Sequence, residues 1–256
     1  MESAAEKIGL VTGAAAGIGR AVALRLAANL CDVGLFDLDA ASLAETERMV
    51  QSLGRRTVAV VGDVANPADA LRCVRQVARN LGPIDILVNN AGILRTAPFL
   101  QISAAEWRTT FAINLDGLFH FSQAVLPQMC KRRTGVIVNV SSWTGKKGVP
   151  NHAAYAATKA AIINLTQTLA EEFGPLGIRV NAVCPGIIVE TSMRDEAERL
   201  NREQGLPDVE TRTQAIPLRR AGLPQEVANV IAFLASPQAA YMTGQAINVT
   251  GGHWMN

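Results

Sequence analysis

Tyr155 and Lys159 stand four residues apart in the stretch Tyr-Ala-Ala-Thr-Lys. They lie in a run from His152 to Phe173 rich in alanine and other good helix formers. Residues at i and i+4 share a helix face, so the phenol and the ammonium point into the same space. A phenol with a pKa of about 10 is a poor acid and a poor base at neutral pH. A positive charge about 4 Å away is worth about 4 kcal/mol at an effective dielectric near 20. That would lower the phenol by up to about three units, close to the pH at which acid–base catalysis works best. On an ordinary helix the same pair is a surface tyrosine stacked on a lysine stem, so the rest of the chain must decide.

Ser142 closes the apolar run GVIVNVSS (135–142), thirteen residues before Tyr155. A hydroxyl at the carboxyl edge of a buried strand can bond a substrate oxygen and stabilise charge developing there. Ser141 reads as its structural neighbour. Near the N-terminus, TGAAAGIG (12–19) follows one apolar run and precedes a helical one. Glycines there permit a tight turn and close approach of backbone to a phosphate, and the helix N-terminus supplies N–H donors. Asp37 ends the second apolar run, eighteen residues after Gly19. A carboxylate there accepts from both hydroxyls of an adenosine ribose and repels a 2′-phosphate. No Lys or Arg lies between Gly13 and Gly19. The expected cofactor is NAD.

Seven apolar runs must hold these groups: 8–13, 32–37, 57–63, 85–92, 135–142, 178–186 and 245–252. Their continuous rather than alternating character predicts strands buried on both faces. Amphipathic segments such as 41–53 and 66–81 lie between them, with Pro67 near a first helical turn. The alternation predicts an α/β fold: one doubly wound, seven-stranded parallel sheet with helices on both faces, over residues 1–256. The polar stretch 193–214, with Gly205 and Pro207 inside it, is expected to form an insertion or a lid over the site.

Composition narrows the partners. The net charge is +2 and charged residues are 18% of the chain, with no basic stripe, so nucleic acid is not expected. No apolar run is long enough for a membrane span, and the first residues, MESAAEK, do not read as a secretion signal. Cys31, Cys73, Cys130 and Cys184 have no metal-like spacing. They read as reduced thiols of a cytoplasmic protein. No metal is expected.

TGAAAGIG, NNAG (89–92), Ser142, YAATK and CPG (184–186) occur in the order and spacing of the short-chain dehydrogenase/reductase family, which the chain resembles over nearly its whole length. The resemblance implies a Rossmann fold, a nicotinamide cofactor and a homotetramer. Gly13, Gly17, Ile18 and Gly19 would border the pyrophosphate. Asp63 and Val64 would flank the adenine, and Asn90 and Gly92 the nucleotide. Pro185, Gly186 and Ile188 would line the nicotinamide, with Ile188 offering its backbone. Lys159 would bond the nicotinamide ribose, and Asn114 would hold a water beside Lys159 to complete a proton relay. Glu190 stands where the family pattern has Thr, with Thr191 one residue later, so that loop is expected to be rebuilt. Thr250 replaces a common Asp at a strand end.

The implied activity is hydride transfer between NAD(H) and a secondary alcohol or ketone, with a polyol, sugar alcohol or small diol as substrate. The alternatives are a 3-oxoacyl-carrier-protein reductase, usually an NADPH enzyme, and a general carbonyl reductase. A non-catalytic NAD-binding scaffold is disfavoured because Asn114, Ser142, Tyr155 and Lys159 are all present. His152 is expected to face solvent and His120 to lie in the core or an interface. Trp143 could wall the substrate pocket, and Asn151 could bond a second substrate hydroxyl. The tail GGHWMN is expected at a subunit contact.

Overall fold

The structure, a computed structural model, describes residues 7–191, 193–195, 198–199 and 208–256. Seven strands form: β1 (Ile8–Thr12), β2 (Asp32–Asp37), β3 (Thr57–Val61), β4 (Ile86–Asn89), β5 (Gly135–Val140), β6 (Ile178–Pro185) and β7 (Ala246–Val249). They pair in parallel in the order β3-β2-β1-β4-β5-β6-β7. The order reverses between β1 and β4, and a crevice opens there at the strands' carboxyl ends, where doubly wound sheets hold ligands.

Each strand feeds two cores because successive side chains point to opposite faces. Val11, Val33, Leu35, Ile86, Val88, Val136 and Val138 pack under α1 (Gly17–Ala28), α2 (Ala40–Ser52) and α8 (Pro224–Ala235). Leu10, Phe36, Leu87 and Ile137 face the other way. There they pack under α3 (Pro67–Asn80), α5 (Gly117–Arg132) and α6 (Ala153–Phe173). This two-sided burial is why the runs are continuously apolar.

A buried polar ladder crosses the second face. Asn89 and Asn139 are register partners in β4 and β5, and Asn89 Nδ2 donates to Asn139 Oδ1 at 2.9 Å. Asn89 Nδ2 also donates to Ser122 Oγ on α5, and Asn139 Nδ2 to Thr166 Oγ1 on α6. These bonds fix how α6 is rotated on the sheet, and with it the direction of Tyr155.

The helical segment that carries Asn114 is in three pieces. α4 (Ala104–Phe111) opens with a Ser103–Glu106 capping box. A π-helical turn spans Ala112–Asp116, and α5 follows. A π turn carries one residue more than an α turn and often marks a functional site.

The glycine turn after β1 is tight. Gly13 (φ +67°) and Gly17 (φ +52°) adopt left-handed backbone. Gly19 is constrained by space: a Cβ there would lie 1.8 Å from the Gly13 carbonyl oxygen and 2.6 Å from Asn90 Nδ2. Gly19→Ala is therefore expected to destabilise the fold by at least about 2 kcal/mol, roughly 5 °C in Tm for a chain of this size. Gly148→Ala, where a Cβ meets nothing within 4 Å, serves as the control. Equal melting temperatures for the two variants would show that the turn relaxes without cost.

Candidate active site

Tyr155 and Lys159 lie in the first turns of α6, buried, below the carboxyl end of β5. The backbone of α6 is pinned there. Ser141 Oγ donates to the Lys159 carbonyl at 2.7 Å, and a Cβ on Gly145 would come within 2.7 Å of that same carbonyl. Ser142, two residues beyond β5, caps a short 3₁₀ turn (Trp143–Gly145). Its Oγ accepts from Thr144 N at 3.2 Å and Thr144 Oγ1 at 3.0 Å, which leaves its own proton free to donate. Ser142, Tyr155 and Lys159 line one cavity of about 440 Å³ with Pro185, Gly186 and Ile188.

Lys159 is 3% exposed. Its Nζ donates to the Val140 carbonyl at 2.9 Å and lies 5.5 Å from the Tyr155 ring centroid. This corrects the expectation of an ammonium placed to lower the phenol. Burial pushes the Tyr155 phenol up, and the groups that pull it back down are the Ser142 hydroxyl and the Arg194 guanidinium. Burial also lowers Lys159 itself, from 10.5 to about 8.

Asn114 is 1% exposed. Its Oδ1 accepts from Ile93 N at 2.7 Å, and its Nδ2 donates to the Ile93 carbonyl and to Thr158 Oγ1. A Cβ on Gly92 would sit 3.2 Å from Asn114 Oδ1 and 3.5 Å from Lys159 Nζ, so these two residues are neighbours across that glycine. The Asn114 amide is bound to protein at both ends.

A second cavity of about 340 Å³ adjoins the first, sharing Ile18, Asn90, Thr191 and Met193 with it. Gly13, Gly17, Asp37, Asp63, Val64 and Gly92 also line it. Gly19 does not: it is buried behind the loop, and its role is the close packing described above. Asp37 Oδ2 accepts from Ala15 N at 2.9 Å and Oδ1 from Asp39 N at 3.1 Å, which fixes the carboxylate at the cavity rim. Asn90 Nδ2 donates to the carbonyls of Thr12 and Gly13 and so stitches β4 to the glycine turn.

These residues fit a dinucleotide. α2, α3 and α4 are each capped by a side chain, Asp39, Asn66 or Ser103. α1, whose start faces the cavity, has no side-chain cap and no acid in its first turn. Its first N–H groups are the donors a pyrophosphate requires.

The loop after β6 departs from the family pattern for a visible reason. Glu190 is exposed, with left-handed backbone (φ +57°), which moves the next residue inward. Thr191 then packs on the glycine turn, its Cγ2 3.0 Å from where a Gly17 Cβ would be, and it lines both cavities.

Of the other residues singled out, His152 departs from the expected solvent-facing position and Trp143 walls the pocket as expected. His152 lines the reaction cavity, its ring 6.5 Å from that of Tyr155. Trp143 also lines it, edge-on to His253 at 4.5 Å. Asn151 turns away in left-handed backbone and its carbonyl accepts from Ala97 N. His120 Nδ1 lies 3.1 Å from the Val64 carbonyl. The tail folds back on its own chain: Thr250 Oγ1 donates to the Trp254 carbonyl, and Lys147 lies over the indole. Of the expected lid, 196–197 and 200–207 lie outside the described residues. Its described part contributes Met193, Arg194 and Arg212, the last on α7 (Val209–Thr213), to the reaction cavity. No sequence motif marked them. Among the described residues no helix is long and apolar enough to cross a membrane.

Fold, glycine turn and the Ser-Tyr-Lys cluster together define a short-chain dehydrogenase/reductase, and this chain belongs to that family of nicotinamide-dependent oxidoreductases. The family model described as enoyl-(acyl carrier protein) reductase matches residues 13–253. The chain is 41% identical over 246 residues to the 3-oxoacyl-[acyl-carrier-protein] reductase FabG of Thermotoga maritima, covering 96% of this chain and 97% of that one. It superimposes on NAD+-bound xylitol dehydrogenase with a TM-score of 0.92 at 36% identity, over 96% and 98% of the two chains. It also superimposes on actinorhodin polyketide ketoreductase with NADPH, with a TM-score of 0.94 at 33% identity, over 99% of each.

The lowered Lys159 pKa carries a test. The folded chain sheds this proton near pH 8, the unfolded chain near 10.5. Between those values the unfolded state binds more protons, so stability rises with pH. Relative to Lys159→Met, the wild-type chain is expected to gain about 2 kcal/mol between pH 7 and 9.5, read by denaturant unfolding. A parallel pH response of the two proteins would place the lysine in contact with water.

Proposed function

We propose that the chain interconverts a secondary alcohol and a ketone with NAD(H), using Tyr155 as the acid–base. The observation that carries this reading is one cavity joining Ser142, Tyr155 and Lys159 to the nucleotide cleft. The nicotinamide, when bound, accepts or supplies the hydride. The Ser142 hydroxyl donates to the substrate oxygen and holds it against the phenol. In oxidation Tyr155 Oη takes the hydroxyl proton as its own phenolic proton leaves toward the Lys159 relay, and in reduction both transfers reverse. Lys159 holds the nicotinamide ribose and passes the proton on. With the Asn114 side chain committed to Ile93 and Thr158, the relay past Asn114 uses its π-turn backbone.

Asp37 supports NAD over NADP. Arg20, which reaches the same turn, is already engaged: its guanidinium donates to the Ala15 carbonyl, to Thr46 and to Glu45. It is not free to receive a 2′-phosphate. For the substrate, curated relatives named as 3-oxoacyl reductases support a ketone on the third carbon of an acyl chain more strongly than the polyol expected from sequence. A polyol remains the second reading, supported by the likeness to xylitol dehydrogenase. A cytoplasmic homotetramer fits four free cysteines and the exposed apolar side chains Phe99, Leu100, Phe119, Phe233 and Tyr241.

Following NADH absorbance with ketones and secondary alcohols tests this reading. Tyr155→Phe is expected to lower kcat by about 10³-fold or more, and near-full turnover would overturn the assignment. Asp37→Ala is expected to reduce the preference for NAD over NADP at least about tenfold in kcat/KM. A wild-type preference for NADP would sink the cofactor reading while leaving the chemistry intact.

A further inference from the structure

Two arginines reach the reaction cavity from outside every motif discussed so far. Arg194 and Arg212 line it with Ser142 and Tyr155. They share one carboxylate: Glu198 Oε1 accepts from Arg194 Nη1 at 3.3 Å and from Arg212 Nη2. Arg212 has a second acidic neighbour, Asp208, whose carboxyl it lowers, so of the two guanidinium groups Arg194 is the one turned toward the reaction cavity's reacting groups. Burial holds the lining His152 and His253 below the ordinary imidazole value. Lys159 is turned away onto Val140.

The Arg194 guanidinium is desolvated. The Arg194 side chain is 17% exposed. Its Nε is buried with no hydrogen-bond partner among the described residues. Arg194 also faces Tyr155 closely enough to pull the phenol's pKa down. Thr96, in the same cavity, has a buried hydroxyl likewise without a partner. A buried donor left unpaired costs about 1–3 kcal/mol, more on a charged group, and an anion entering the cavity offsets that cost.

We propose that the cavity selects an oxo acid or its hydroxy acid. The substrate carboxylate bonds Arg194 while its carbonyl or carbinol oxygen lies between Ser142 and Tyr155. A carboxylate takes guanidinium donors in pairs and so can bond the unpaired Arg194 Nε together with a neighbouring N–H. A thioester brings no charge to this point. The proposal rests on the hydride-transfer reading above and specifies its substrate.

The test compares 3-oxobutanoate, 4-oxopentanoate and 5-oxohexanoate with their uncharged amides, by NADH consumption. At least one acid is expected to exceed its amide about tenfold or more in kcat/KM. Arg194→Gln is expected to shrink that ratio about 10- to 100-fold, through KM more than kcat, and Arg194→Lys to restore part of it. Should Arg194→Gln fail to fold, the wild-type enzyme still decides: pentanoate is expected to compete with the acid substrate and pentanamide is not. Amides turned over as well as acids, equal losses on both in Arg194→Gln, or a preference for oxoalkyl phosphates would overturn the carboxylate assignment and leave hydride transfer standing. No turnover of any compound would overturn both.

Discussion

The site depends on burying one ammonium group. Lys159 has lost water, holds the Val140 carbonyl, and pays through a pKa near 8. Such a group stays charged at neutral pH only if its surroundings cannot give way. The structure meets that condition with backbone: the Lys159 carbonyl is held by Ser141, Gly145 leaves no gap beside it, and Thr158 bonds Asn114. The Asn89–Asn139–Thr166 ladder sets the rotation of α6 a few turns on. Tyr155 takes its direction from the same helix, so the phenol is aimed by the bonds that confine the lysine.

That confinement changes how the pair works. Sequence spacing correctly put phenol and ammonium on one helix face, but a shared face fixes neither distance nor solvent. Burial raises the energy of any new charge, and it acts on the phenol as on the ammonium. The Tyr155 hydroxyl is moderated instead by groups that reach it directly, Ser142 and Arg194. A one-dimensional reading lists neighbours along a helix; it does not list what a distant loop brings over the top.

Legibility divides along the same line. The strands were legible because burial on both faces demands unbroken apolar runs, and each observed strand lies within its expected run. The glycine turn and Asp37 were legible because they sit where β1 and β2 end, and parallel pairing places those ends together. Gly19 illustrates the limit: its type was informative, yet it serves packing against Gly13 rather than contact with the cleft. The π turn at Asn114 was not legible, since an inserted residue leaves no mark in apolar periodicity. The cavity roof was illegible for a plainer reason: Arg194, Glu198 and Arg212 converge from a polar stretch with no period at all.

The two cavities therefore differ in what holds them. The nucleotide side is built from backbone, namely the turn at Gly13 and Gly17, the free amides of α1 and the ends of four strands. The reaction side is roofed by long charged side chains, whose positions depend on one another's charge. Glu198 bonds both Arg194 and Arg212, and Asp208 is a further acidic neighbour of Arg212. Arg194 keeps a buried Nε without a partner among the described residues, so this side still has a donor to offer. Within one fold, backbone fixes the shared cofactor geometry, while a few charged side chains set which oxygen is presented to Tyr155.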